Sequence, residues 1–181
     1  QVEVVGNALA RMHHRVQMLP FTLNLADIVE KLQAIQPTLV FNLVETVNGS
    51  GRLIHLAPAL LDHLQIAYTG SATEAVFLTS NKVVSKKILQ AAGIRTPAWF
   101  RSEDRSSNGS PEPDGTFVIK SVWEHASVGL DEDSVVRVQG WHSLQREIDC
   151  RRANVGGDAF AEDYIDGREF NLSLISDGKG E

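Results

Sequence analysis

Residues 117–130 read FVIKSVWEHASVGL, and the rest of the chain takes its meaning from them. Phe117, Val118 and Ile119 run directly into Lys120, and the loop that follows ends in Ser127-Val128-Gly129. The apolar run reads as a buried strand, yet lysine is rarely buried without a partner. Small residues beyond it would let backbone N–H groups approach a phosphate, with the ammonium supplying the countercharge. Taken alone, the stretch supports two readings equally. One is a nucleotide site; the other is a strand-end lysine whose stem snorkels to water.

Upstream, helical and extended patterns alternate. Val2, Val5, Leu9 and Met12 share a helical face. Leu25, Ile28, Val29, Leu32 and Ile35 form a second amphipathic face behind Asn24, a good helix cap. Leu39 to Val44 reads as a buried strand, and the glycine-rich turn 48–51 precedes a third helix carrying Leu53, Leu56, Ala57, Leu60, Leu61 and Leu64. Ile66-Ala67-Tyr68 is a short strand that ends at Thr69-Gly70, with Ser71 completing a turn into the next helix. Alternation of this kind predicts a parallel sheet covered by helices.

A new unit is expected near Thr79, where Thr79 or Ser80 would cap a helix on which Val84, Ile88 and Ala91 align. Gly93 and Pro97 close that helix. Lys86 and Lys87 read as its solvated face. Ser102 to Gly115, which has no apolar aliphatic or aromatic side chain, reads as a mobile surface loop before the Phe117 strand. Val135 to Val138 suggests another strand, and Trp141, Leu144 and Ile148 mark a helix. Ala159 to Tyr164 and Glu169 to Ile175 are strand-like, the latter with Phe170, Leu172 and Leu174 on one face. The division that follows is 1–76 and 77–181. Both ends look cut: the chain opens in a helix, and Asp177-Gly178 signals a hairpin with only three residues after it.

The bulk numbers narrow the function. With 181 residues, one domain or two small ones can build a real core. A net charge of −6 argues against nucleic acid as a partner, because its binders usually carry a basic face. Cys150 is the only cysteine, which excludes an internal disulfide, fits a reducing cytoplasm, and has no evident activating partner. No run is apolar enough to span a bilayer. The histidines at 13, 14, 55, 63 and 142 show no metal-ligand spacing, and Trp123 and His125 suit a surface as well as a ligand. No G-x-G-x-x-G follows a strand, which weighs against a dinucleotide-dependent oxidoreductase.

Several segments then combine: VFNLVET at 40–46, AYTGSATEAVFLTSNKVVSKKILQAAGIRTP at 67–97, FVIKSVWEHASVGL, and FAEDYIDGREFNLSLI at 160–175. In this order they resemble the ATP-grasp superfamily, most closely its D-alanine–D-alanine ligase branch. The resemblance implies an α/β chain: an N-terminal parallel-sheet, Rossmann-like pre-ATP-grasp domain, followed by part of an α+β ATP-grasp domain. It also implies an ATP-dependent carboxylate–amine ligase, cytoplasmic, working through an acyl phosphate in peptidoglycan biosynthesis. Its partner would be a small amino-acid-like substrate, with neither nucleic acid nor membrane; a homodimer is compatible.

Residue roles follow from the resemblance. Lys82 and Lys120 would contact the ATP phosphates, Lys120 also lying near the adenine. Glu124, Ser127 and Val128 would belong to the loop folded over the phosphates, and Lys120 and Ser127 would be catalytic. Glu162 would accept from the adenine amino group, Tyr164 and Ile165 would stand in the same stretch, and Glu169 would hold the ribose hydroxyls. Without the resemblance, Glu162 and Glu169 read as ordinary exposed strand acids. Magnesium would be needed, with its ligands expected beyond Glu181 and none in this chain.

Two departures bear on the acceptor. Glu45 stands where the family carries a histidine, and Ala126 replaces the first serine of the family's Ser-Ser-Val-Gly loop. The ATP half therefore matches better than the amino-acid half. Glu45 becomes a candidate substrate residue. A ligase for a different substrate, or a non-catalytic nucleotide binder, are the alternatives.

Overall fold

The computed structural model describes residues 1–106, 112–125, 129–170 and 172. Five helices lead into the principal sheet: α1 (Val2–Arg11), α2 (Leu25–Ile35), α3 (Leu56–His63), α4 (Thr73–Ser80) and α5 (Lys82–Ala91). Then come β1 (Trp99–Phe100), β2 (Asp114–Ser121), β3 (Val135–Gln139), α6 (Gly140–Arg152) and β4 (Ala159–Asp163). The four strands form one antiparallel sheet in the order β1-β4-β2-β3.

Burial explains the N-terminal arrangement. Asn24 caps α2 by accepting from the Asp27 N–H at 3.4 Å. Ile28 and Leu32 then pack on Leu61 of α3, with Val40, Ile66 and Tyr68 against them. The expected parallel pairing is present as one bridge, Val40 with Tyr68, flanked by Val40 N to Ala67 O at 2.8 Å and Thr69 N to Val40 O at 3.0 Å. The buried strand expected over 39–44 is otherwise not formed: Leu39 and Phe41 are exposed. A ladder grows only where a second extended segment continues alongside, and 66–68 reaches no further than one bridge. The turn at 47–50 has Asn48 and Gly49 both at positive φ, as a two-residue hairpin turn requires.

Helix α4 corrects the reading of this region. Its apolar residues Ala75, Val76, Phe77 and Leu78 are consecutive and show no helical period, so the helix that follows the turn at 68–71 was expected to start only near Thr79. Thr79 and Ser80 do not cap α5. Their hydroxyls donate back to Ala75 O and Val76 O within α4, and Asn81 caps α5, accepting from Val84 N at 3.0 Å. Asp62 ties α3 to the start of α4. Its carboxylate accepts from the Thr73 hydroxyl and from the Tyr68 hydroxyl at 2.8 Å, bonds that lower its pKa.

The sheet separates two cores. Phe117 and Ile119 of β2, with Ala159 and Ala161 of β4, face Leu144 and Ile148 of α6. Phe100 meets both Phe117 and Trp141 edge-on at 5.6 Å. On the opposite face, Phe160 packs fully buried with Val83 of α5, Val122, Trp99 and Trp123. The stretch expected to be a loop holds a 3₁₀ turn at Ser102–Ser106, and β2 already begins at Asp114. Residues 107–111 lie outside the described residues, as does most of the strand expected over 169–175. The boundary expected between 76 and 77 falls inside α4.

Candidate functional site

Register places the two central charges. In the β2–β4 pairing, Lys120 lies opposite Phe160 and Val118 opposite Glu162. Paired residues share a face, so Lys120 and Glu162 are diagonal neighbours on the side covered by α5. Lys120 Nζ reaches Glu162 Oε1 at 2.7 Å. Lys86 of α5 reaches the other oxygen, Oε2, also at 2.7 Å.

Lys86 is the residue that sequence reasoning placed wrongly. It is 6% exposed, not part of a solvated face. Its ammonium also donates to Thr96 Oγ1 and to Pro97 O (3.0 Å), and lies 5.3 Å from the Trp99 ring centroid. The buried face of α5 is Val83 and Lys86, while Val84 and Ile88, expected to align inward, are exposed. No apolar period marks a buried lysine. The one available signal was the three-residue spacing from Val83, which puts Lys86 on the same face. Lys87, by contrast, is exposed as expected.

Glu162 is likewise more than a strand-exposed acid, its side chain being 14% exposed. Burial disfavours its charge, but hydrogen bonds from Lys120 and Lys86 outweigh that cost and hold its pKa below the usual carboxylate value. The sign gives a prediction. A carboxyl with a depressed folded pKa stabilises the fold above its unfolded pKa and loses that contribution as pH falls through the folded value. Thermal midpoints of the wild type should therefore fall steeply below about pH 4.5, the ordinary carboxyl value. Glu162→Gln should be less stable at neutral pH and lack that part of the acid slope; an identical slope would remove Glu162 as its source.

Lys82, the first residue of α5, faces the same region. Its N–H donates to Val122 O at 3.0 Å and its ammonium to Glu124 O. Burial lowers its pKa, and the neighbouring Lys120 charge adds to the effect. Glu124 points elsewhere: Oε1 accepts from Gly51 N at 3.0 Å, tying the turn after Val47 to the loop after β2. Arg52 stacks over Trp123 at 5.1 Å in the same junction, and Trp123 Nε1 donates to Asp158 at 3.0 Å. The approach leaves no room for side chains. A Cβ on Gly51 would stand 2.7 Å from Trp123 O, and one on Gly156, at φ +83°, 2.7 Å from Glu124 Cγ.

His125, which in sequence suits a surface as well as a ligand, is partly buried. Its Nε2 is buried without a hydrogen-bond partner among the described residues. Burial lowers its pKa, Lys82 lowers it further, and Glu124 and Glu45 act in the opposite sense. Glu45 itself is exposed, as are Tyr164, Ile165 and Glu169, which continue beyond β4. The structure thus brings together Lys82, Lys86, Lys120, Glu124 and Glu162, with no contact from Tyr164, Ile165 or Glu169 to this cluster among the described bonds. Ala126, Ser127 and Val128 lie outside the described residues. A cleft of about 330 Å³ opens beside the cluster, lined by Thr79, Lys82, Ser85, Lys86, Thr96 and Glu162 among others. Among the described residues no three His, Cys, Asp or Glu side chains converge to hold a metal ion. No described helix is long and apolar enough to cross a membrane.

The antiparallel sheet thus carries α6 on one face and α5 on the other, with Lys120 and Glu162 on the α5 side. The solved structures agree on the fold. The D-alanine–D-alanine ligase of Bacillus anthracis superposes with a TM-score of 0.50 at 22% identity, over 83% of this chain and 47% of that one. The biotin carboxylase domain of Hydrogenobacter thermophilus 2-oxoglutarate carboxylase gives 0.53 at 16% identity, over 79% of this chain and 32% of that one. No model of a known family matches the sequence.

Sequence makes the assignment more particular. The D-alanine–D-alanine ligase of a Synechococcus species is 32% identical over 134 residues, which is 72% of this chain and 39% of that protein. The chain belongs to the ATP-grasp superfamily and resembles its D-alanine–D-alanine ligases. It spans less than half the length of the relatives named here.

Proposed function

We propose that the intact protein is an ATP-dependent carboxylate–amine ligase of the D-alanine–D-alanine ligase kind. The observation that carries this reading is the cluster itself: Lys82, Lys86 and Lys120 gathered around Glu162 in a chain whose sequence relatives are such ligases. Lys120 and Lys82 supply positive charge where phosphates would lie. Glu162 supplies an acceptor for the adenine amino group, and Glu169 one for the ribose hydroxyls. ATP would phosphorylate the substrate carboxylate, and the amine would displace phosphate from the acyl phosphate. No protein nucleophile is needed. The residues act by positioning and by offsetting charge on the transferring phosphoryl group.

Ser127 and Val128 are assigned to the phosphate loop by resemblance alone. The same holds for Tyr164 and Ile165 at the adenine, for a division near residue 76, and for a cytoplasmic setting. The related biotin carboxylase domain was solved with MgADP, which makes magnesium a fitting companion. The described residues offer no site for it, so no step here is routed through the ion.

A different acceptor substrate is favoured by one observation. Glu45, a carboxylate where the family carries a histidine, acts through its charge on His125, whose Nε2 is buried with no hydrogen-bond partner among the described residues. Phosphate release by the intact protein, measured with ATP and a panel of D-amino acids, L-amino acids and short peptides, separates the readings. Release dependent on D-alanine supports the dipeptide ligase, and release with another amine or acid supports the second reading. ATP binding without release for any of them would leave only the nucleotide binder.

A further inference from the structure

We propose that Lys86 is a positioning residue for the nucleotide, fixing Glu162 as a hydrogen-bond acceptor so that the site prefers a 6-amino over a 6-oxo purine. This rests on the ATP reading above and adds a residue to it.

The two lysines on Glu162 are not equivalent. Lys120 is 29% exposed, and its one described side-chain partner is Glu162 Oε1. It can turn toward an incoming phosphate and leave that oxygen free. Lys86 is 7% exposed and has three further anchors: Thr96 Oγ1, Pro97 O and the Trp99 face. It cannot turn away without stranding its own ammonium in a buried place. When Lys120 is drawn to the phosphates, Lys86 is therefore the cation still bonded to Glu162.

That bond sets the kind of hydrogen bond the purine meets. The charged groups facing Glu162 are Lys86 and Lys82 from α5 and Lys120 from β2. With Lys86 holding Oε2, the carboxylate remains ionised, and Oε1 only accepts. It suits the N–H of a 6-amino purine and repels a 6-oxo group. Without Lys86, a largely buried carboxyl whose other partner has moved to phosphate takes up a proton more readily. The protonated group donates as well as accepts, and the distinction between the two purines narrows.

The test is a comparison of dissociation constants for ATP and inosine triphosphate, measured by calorimetry on the intact wild type, Lys86→Met and Lys86→Arg. The wild type should favour ATP. Lys86→Met should lose roughly tenfold of that preference, the scale of one hydrogen bond to a charged group, and Lys86→Arg, which restores a cation, should keep most of it. A merely structural lysine would weaken both nucleotides alike, so an unchanged ratio in Lys86→Met overturns the proposal. If Lys86→Met does not fold, Thr96→Val removes one anchor and leaves the charge. A reduced ratio there supports the proposal and an unchanged one overturns it. A wild type that binds neither nucleotide would instead overturn the ATP reading itself.

Discussion

Lys120→Ala in the intact protein should abolish most of the thermal stabilisation that ATP confers. A ligand present at about a hundred times its dissociation constant adds about 2.7 kcal/mol to the folded state. Hydrogen bonds to charged groups contribute about 1.5–3 kcal/mol each, so losing the ammonium weakens binding roughly ten- to a hundredfold. At the upper end the same ATP concentration only equals the new dissociation constant, and the gain shrinks to about 0.4 kcal/mol. Lys120 is well placed for so large an effect: it is partly exposed, held by a single carboxylate oxygen at 2.7 Å, and adjacent in charge to Lys82. Differential scanning fluorimetry with and without ATP checks it. A full ATP-induced shift in the variant would refute the role given to Lys120.

Phe160→Ala should cost the most in stability. Phe160 has no exposure and is the largest fully buried side chain among the described residues. It fills the space between Val83, Trp99, and the adjacent Val122 and Trp123, which belong to three separate segments and have little freedom to collapse inward. Such a truncation costs about 3–5 kcal/mol, a fall in melting temperature of roughly 10 °C for a chain of this size. Phe160 also stands directly opposite Lys120 in the strand pairing. Its loss should therefore reduce the ATP response, whereas Phe117→Ala, buried on the α6 face of β2, should destabilise comparably and leave the ATP response of the folded fraction intact. Equal damage to nucleotide binding from both variants would show that the two faces of the sheet are not functionally distinct.

Lys120 and Glu162 could be named from sequence because a charge at the end of an apolar run, within motifs in family order, is visible in one dimension. The ion pair that joins them was not, since it depends on a two-residue offset between strands separated in sequence by β3 and α6. Lys86 was misread for a related reason. Helical periodicity reports where apolar side chains point, and α5 turns a lysine inward beside a single valine, Val83. What decides its rotation is Glu162, a partner far away in sequence. The single bridge at Val40 shows the converse error. The run Leu39 to Val44 has the composition of a strand, but composition does not supply the neighbouring segment that a ladder requires. The helix after the turn at 68–71 was expected to start too late because four successive apolar residues carry no period.

The surplus of cations around Glu162 also has a bearing on how partners arrive. Three ammonium groups stand there against two carboxylates, Glu162 and Glu124, on a chain whose overall charge is −6. A small anion that comes within a Debye length, about 8 Å at physiological ionic strength, meets attraction from the cleft before it meets the acidic remainder. A long polyanion touches both at once, and repulsion along its length offsets what the cleft offers. The same cluster that would grip a nucleotide would thus work as a filter on encounter, admitting single nucleotides faster than strands, and more sharply as salt is lowered.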